Sequence, residues 1–351
     1  MTPKQYDVLI VGGGFCGVNI AKHLQKKLPA GKTLCLIDTK NFFEYTPSIP
    51  QAVTDPEQLR HIRVPYKKIL KRCAFVCAPI VRITPKKVQT KDKTFTFTYL
   101  VICSGATYKL PFASTRIFAV KTGADAVEIH RLLPTAKNIV IVGGGLVGTE
   151  IAGELVNKTK AHITILDPRD RLLSRNPERA SRYAEQFLRK QGCSLVYGQK
   201  VTEYKQKKVI TQNSKYAADL VLWCAGISCD ASFLDSSLAL CMNDHSAIQV
   251  NEYLQIPQFP NLFCGGDLSA LFEEKTAQNA EQHAKVISQN ILARMQDKTL
   301  KNYVSKQRLM VISLGRFNGI LVYKRLVLTG WIPALLKKMI ECMIFFKLRF
   351  L

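Results

Sequence analysis

The sequence predicts an α/β fold: two βαβ-based domains in series, followed by an amphipathic helix. Three observations predict it. A Gly-x-Gly-x-x-Gly turn occurs twice, each time after a short β-branched run and before a helical one. Each copy then reaches an acid at the end of a second strand, about 20 residues past the turn. The C-terminal stretch 331–351 mixes large apolar side chains with lysines and arginines.

In the first copy, residues 6–11 read as a strand, Gly12-Gly13-Gly14-Phe15-Cys16-Gly17 as the turn and 18–27 as a helix. Residues 33–37 form the second strand, ending at Asp38. Gly12 permits the tight turn, Gly14 lets a phosphate approach the backbone, and Gly17 lets helix and strand pack closely. The helix N-terminus would receive a dinucleotide pyrophosphate. Asp38, 21 residues after Gly17, stands where a carboxylate accepts ribose hydroxyls. This is a Rossmann-like unit.

The second copy repeats the pattern. Strand 138–142, turn Gly143-Gly144-Gly145-Leu146-Val147-Gly148, a helix to about residue 158 and strand 162–166 lead to Asp167, 19 residues after Gly148. Matching strands close both copies, Leu100-Val101-Ile102-Cys103-Ser104-Gly105 and Val221-Leu222-Trp223-Cys224-Ala225-Gly226. The intervals agree: 91 residues from Gly14 to Gly105 and 81 from Gly145 to Gly226. Such recurrence is an internal repeat. Short alternating stretches near Ile80, Val88 and Phe95, and near Val196, Val201 and Val209, read as small meanders. After Asp244 the repeat ends. Residues 259–267 form a strand running into Gly265-Gly266-Asp267, and a helix follows over about 276–294. The expected division is 1–115 with 245–305, 116–244, and 306–351.

Composition narrows the class. A chain of 351 residues holds about two to three domains. With 47% hydrophobic and 22% charged residues it is neither disordered nor collagen-like. Fifty Lys and Arg against 26 Asp and Glu give +24, which favours anionic partners: nucleic acid, anionic lipid or phosphate-bearing cofactors. Eleven cysteines are too few for a disulfide scaffold, which carries more than about 8–10%. None has zinc-ligand spacing, and no HExxH occurs, so no metal is expected. A reduced, cytosol-facing protein without signal peptide or membrane span is the expectation.

Two dinucleotide units suggest two dinucleotides, and an electron-transfer flavoprotein is the simplest protein needing both FAD and NADH. On these motifs the chain resembles the two-dinucleotide-domain flavoproteins of the pyridine nucleotide-disulfide oxidoreductase type. Within them it is similar to type II NADH:quinone oxidoreductases and their apoptosis-inducing-factor-like relatives, over residues 6 to about 320. Ala277-Gln278-Asn279-Ala280-Glu281-Gln282 matches the AQxAxQ pattern of the former. The resemblance implies FAD contacts at Gly12, Gly14, Phe15, Cys16, Gly17, Asp38, Lys40, Gly105, Gly266, Asp267, Ala277 and Gln278. It implies NADH contacts at Gly143, Gly145, Gly148, Glu150, Asp167 and Gly226. Glu150, Gln278 and Gln282 take catalytic roles, and Tyr45 and Pro47 join the two glutamines in receiving the quinone. Glu150 has an alternative reading, as a residue that caps the turn or pairs with a lysine.

Rival chemistries turn on cysteine position. Disulfide reductases need a CxxxxC soon after the first unit or a CxxC within the second, and neither is present at those places. Cys73 and Cys77 sit in a basic stretch, and Cys224 and Cys229 flank a turn, so the cysteines read as small buried hydrophobes. Asp167 favours NADH because a carboxylate repels a 2′-phosphate, while Arg169 and Arg171 soften that preference. His283 reads as a surface or packing histidine.

On a helical wheel Leu335, Leu336, Met339, Cys342, Met343, Phe346 and Phe350 share one face. Lys337, Lys338, Glu341 and Arg349 lie opposite, with Ile344 and Leu348 intruding. An in-plane helix on an anionic lipid surface is expected, or else docking on the core or on a second copy as a homodimer. The expected function is FAD-dependent transfer of a hydride from NADH, then of two electrons to a membrane quinone, without proton pumping. It would take place peripherally on the cytoplasmic side of a membrane. The alternatives are an NADH-sensing binding flavoprotein, or a flavin reductase with another acceptor. Nucleic acid is disfavoured because no aromatic-interleaved basic patch occurs.

Overall fold

The structure, a computed structural model, describes residues 3–350, and the side chains of 3–348. It divides into two compact units. The first comprises Met1–Phe43, Arg63–Thr107 and Ser228–Lys306, and the second Glu44–Ile62, Tyr108–Ile227 and Gln307–Leu351.

The first unit is built on an eight-stranded sheet. Strand Lys4–Val11 lies between Leu34–Asp38 and Thr94–Ile102, parallel to both, with Val11 level with Ile37 and Ile102. Ala74–Cys77 extends one side and Phe259–Cys264 the other, both parallel. Residues 8–11 are all buried, the near-continuous apolar run of a strand covered on both faces. The stretches near Ile80 and Val88 form an antiparallel hairpin, Ile80–Ile83 with Lys87–Thr90. The third stretch, near Phe95, merges into the closing strand, giving the nine-residue strand Thr94–Ile102.

The second unit repeats the order in five parallel strands: Ile117–Ala119, Leu220–Trp223, Asn138–Val142, His162–Asp167 and Ser194–Tyr197. The stretch near Val196 therefore belongs to this sheet, whereas Val201–Lys205 and Lys208–Thr211 pair in a separate antiparallel sheet with Lys215–Ala217.

The boundaries depart from the expected division: 228–244 group with the first unit and 108–115 with the second, and two longer stretches also differ. Residues 44–62 group with the second unit, because Val53 O bonds His130 Nδ1 (2.9 Å) and the buried Glu44 carboxylate accepts from Gly123 N (3.2 Å). Residues 307–351 are not a free-standing tail. Met310–Ser313, Gly319–Tyr323 and Leu326–Gly330 form an antiparallel sheet on which helix Trp331–Phe350 lies. Among the described residues no helix is long and apolar enough to cross a membrane.

Candidate functional site

Each unit carries one glycine loop, and each loop is shaped by its own backbone. Gly12 adopts φ +97°, and a methyl group there would lie 2.3 Å from Cys103 O. One on Gly17 would lie 1.8 Å from Gly12 O, so helix and strand touch where both residues lack side chains. Gly14 is different: its φ is −69° and a methyl group would meet nothing within 4 Å among the described residues. Packing does not demand glycine there, which fits a cradle kept open for a phosphate. Gly145 in the second loop is equally open, and Gly148 is equally tight against Gly143 O, at 1.8 Å.

Neither loop helix, Phe15–Lys27 or Leu146–Leu155, carries a side-chain cap or an acid in its first turn, among the described residues. Their leading amides suit an anion, helped by the helix dipole. The acids brace the loops. Asp38 Oδ2 accepts from Gly13 N (2.5 Å) and Oδ1 from Lys40 N (2.8 Å). Asp167 Oδ2 accepts from Gly144 N (2.6 Å) and Oδ1 from Arg169 N (2.8 Å). Each carboxylate oxygen has a further lone pair for a ribose hydroxyl. Tyr66, whose hydroxyl donates to Gly13 O (2.8 Å), completes the first loop.

The expected closing elements gather at the carboxyl end of the first sheet. Val11, Ile102 and Cys264 are level there, and each strand runs on into glycine: Gly12, Gly105 and Gly265. That edge, where neighbouring strands connect in opposite directions, is where open α/β sheets bind ligands. Gly266 adopts φ +72° and Gly105 φ +80°. Asp267 follows, partly buried. Helix Ala277–Arg294 begins at Thr276, whose side chain accepts from Asn279 N. Gln278 is exposed and Gln282 half-buried. Asn279 is buried, and its Oδ1 has no hydrogen-bond partner among the described residues. Open glycine cradles, uncapped amides and this orphaned oxygen fit a dinucleotide flavin in the first unit.

In the second unit, Arg171 donates to the carbonyls of Ser174 (2.8 Å) and Asn176 (3.1 Å) and is thereby occupied within its own loop. Arg169, with Nε 3.7 Å from Asp167 Oδ1, is the nearer of the two to the acid. Gly226 adopts φ +69° in open space.

Glu150 makes the contacts of the alternative reading. Its Oε1 accepts from Ser313 N (2.9 Å), from Ser313 Oγ (3.2 Å) and from Lys337 Nζ. Glu154, one turn on, has burial pushing its carboxyl up to about 7, Glu150 adding to the rise and Lys337 opposing it. Its Oε1 has no partner among the described residues. Tyr45 is buried edge-on against Phe345 (5.3 Å), and Ser48 Oγ donates to Glu341 (2.5 Å). Tyr45 and Pro47 thus lie in the second unit, whereas Gln278 and Gln282 lie in the first.

Sequence reasoning missed Lys337, Ser313 and Glu154. A signal existed: two acids four apart on an otherwise apolar helix call for a cation. Of the two readings of His283, surface or packing, the structure gives packing. The residue is 1% exposed, with Nδ1 accepting from Gly266 N (3.0 Å). The cysteines are free. Cys16, Cys103 and Cys264 cluster under the first loop. A bond with Cys103, then burial, raises the Cys16 thiol, and burial raises that of Cys264. Cys16 and Cys264 are therefore poor thiolates.

Residues 6–284 match the model of the pyridine nucleotide-disulphide oxidoreductase family. Apoptosis-inducing factor homolog B of Dictyostelium discoideum is 28% identical, covering 91% of this chain and 90% of its own. Two solved structures are similar in fold. NDH2 of Plasmodium falciparum in complex with NADH has a TM-score of 0.86 at 15% identity, covering 99% of this chain and 96% of that one. The sulfide:quinone oxidoreductase of Aquifex aeolicus has a TM-score of 0.85 at 20% identity, covering 99% and 91%.

Proposed function

The chain belongs to the pyridine nucleotide-disulphide oxidoreductase family, a flavin oxidoreductase using FAD and NAD(P)H, and from that premise we propose that it is an NADH:quinone oxidoreductase working peripherally on a membrane. Bound FAD supplies the two-electron chemistry between donor and acceptor. The amides of the two loop helices hold the pyrophosphates, and Asp38 and Asp167 hold the riboses. Asp167 disfavours a 2′-phosphate, hence NADH over NADPH. Glu150 and Lys337 form a buried ion pair, and Tyr45, Pro47, Gln278 and Gln282 are the residues assigned to the quinone.

The observation that carries this reading is the way the C-terminal helix lies. Its charged side faces the protein, through Lys337 on Glu150 and Glu341 on Ser48. Its apolar side faces out: Trp331, Ile332, Leu335, Met339, Met343 and Phe346 are exposed, beside exposed Leu326 and Leu328. Lys338 and Lys347 are exposed on the same helix. Such a surface suits insertion among acyl chains with lysines at the headgroups, and a lipid-soluble acceptor requires that placement. Quinone oxidoreductase chemistry named for the Aquifex aeolicus relative supports the acceptor class.

The test combines vesicle flotation with stopped-flow flavin absorbance. The wild type should float with anionic vesicles, bleach with NADH and recover with quinone. A Leu335→Ser/Met339→Ser/Met343→Ser variant should lose flotation and turnover of a long-chain quinone, yet bleach at an unchanged rate. Full flotation of the variant would sink the membrane assignment. A flavin that bleaches but never recovers with quinone would move the protein toward a redox-sensing binding role.

A further inference from the structure

The turn that follows strand Phe259–Cys264 is held by a side chain that the reaction scheme does not use. Gly266 N donates to His283 Nδ1 at 3.0 Å. An amide N–H can only donate, so Nδ1 carries no proton and the imidazole proton sits on Nε2. Nε2 lies 2.7 Å from Glu273 Oε1 and donates to it. The other carboxylate oxygen of Glu273 accepts from Tyr303 OH (2.7 Å) and Ser305 Oγ (2.5 Å). Burial pushes the Glu273 carboxyl up, but the bonds from His283, Ser305 and Tyr303 outweigh it and leave it at about 2. Tyr303 also lies edge-on to the imidazole, 4.6 Å between centroids.

The opposite end of the same glycine is tied as well. Gly266 O accepts from Ser269 N (3.2 Å) and Ser269 Oγ (2.8 Å). Gly266 therefore has both polar groups engaged, at φ +72°, directly before Asp267. Resting on the reading that the first unit holds FAD at this turn, we propose that His283 is a positioning residue for the flavin. It fixes the Gly266 peptide and so the placement of Asp267, and its tautomer is set by the Glu273–Tyr303–Ser305 network behind it.

Two substitutions divide the histidine's two bonds. His283→Asn keeps an acceptor in the Nδ1 position for Gly266 and gives up the bond to Glu273. His283→Gln keeps a donor toward Glu273 and leaves the buried Gly266 amide unpaired. Apo-protein would be titrated with FAD, following flavin fluorescence, and the visible band and midpoint potential of the loaded protein recorded. His283→Gln should bind FAD roughly 10- to 100-fold more weakly, the effect of one unpaired buried amide, and shift band and potential. His283→Asn should stay within about threefold of the wild type, because its acceptor is retained. Tyr303→Phe, which leaves the Gly266 bond intact, should behave like His283→Asn, and apo-protein melting separates lost fold from lost affinity. Equal loss in both His283 variants, or in neither, would overturn the proposal. A wild type that binds no FAD would overturn the cofactor reading beneath it.

Discussion

The two glycine loops are built alike almost atom for atom, yet the helices they open do different work. In each loop an acid braces the second glycine, at 2.5 Å from Asp38 and 2.6 Å from Asp167. In each, the third glycine lies against the carbonyl of the first. Two residues past that third glycine they diverge. Asn19 bonds only locally among its described hydrogen bonds, donating to Phe15 O (2.8 Å), whereas Glu150 reaches Ser313 and Lys337. The lesson is that the loop is built from its own glycines and acid, and the helix behind it remains available for another task. In the second copy that task is to anchor residues 307–351.

The largest effects on ligand binding should come from breaking the shared part of the comparison. Gly14→Ala and Gly145→Ala add a methyl group where the protein leaves space, so both should fold normally. Gly14→Ala should cut FAD affinity by roughly a hundredfold, about 2.7 kcal/mol, with NADH binding to the second unit retained. Gly145→Ala should raise the KM for NADH by a similar factor with flavin content unchanged. Flavin absorbance after desalting, and stopped-flow bleaching, read the two separately. Loss of both ligands in either variant would mean that the loops are not independent.

The part that differs should show in stability instead of ligand binding. Lys337→Met leaves Glu150 charged and buried without its cation, which should cost about 3–5 kcal/mol of stability. Pairing it with Glu150→Gln should recover most of that loss. Asn19→Ala, the matching change in the first helix, should cost under about 1 kcal/mol. Denaturant unfolding at neutral pH gives all three values.

The smallest effect sharpens the same contrast through pH. Glu154 has its folded pKa raised from 4.5 to about 7. The folded state therefore retains the proton better than the unfolded state. Stability from this group is highest below pH 4.5 and falls as pH rises toward 7. Glu154→Gln should exceed the wild type by on the order of 2 kcal/mol at pH 8, with the advantage vanishing below pH 4.5. A constant difference across that window would mean that the carboxyl is not raised.

What the sequence made legible follows from range. The loops, their acids and the closing strands are set by spacing within each βαβ unit, and they stand where residues 12–17, 38, 143–148 and 167 predicted. Helix Ala277–Arg294 was legible from its Thr276 start. The ion pair of Glu150 was not, because Lys337 lies 187 positions away and no local period links them. Nor was the grouping of Tyr45 with the second unit, which depends on contacts to Gly123 and His130. The C-terminal wheel was read correctly as a pattern but incompletely as a surface. Ile344 and Leu348, which interrupted its polar side, belong with Lys337 and Glu341 to the less exposed side of the helix, and Leu348 is buried. The side chains of Arg349 and Phe350 lie outside the described residues.

Both units are assembled from segments separated in the chain, and this gives synthesis a direction. The first unit receives its last segment at residues 228–306 and the second only at 307–351. A nascent chain can therefore finish the first unit while the second still holds Glu150 and Glu154 without Lys337. Until Lys337 emerges, that helix carries two acids on a surface meant to be covered. The second unit is thus completed after the first, although its loop is already encoded.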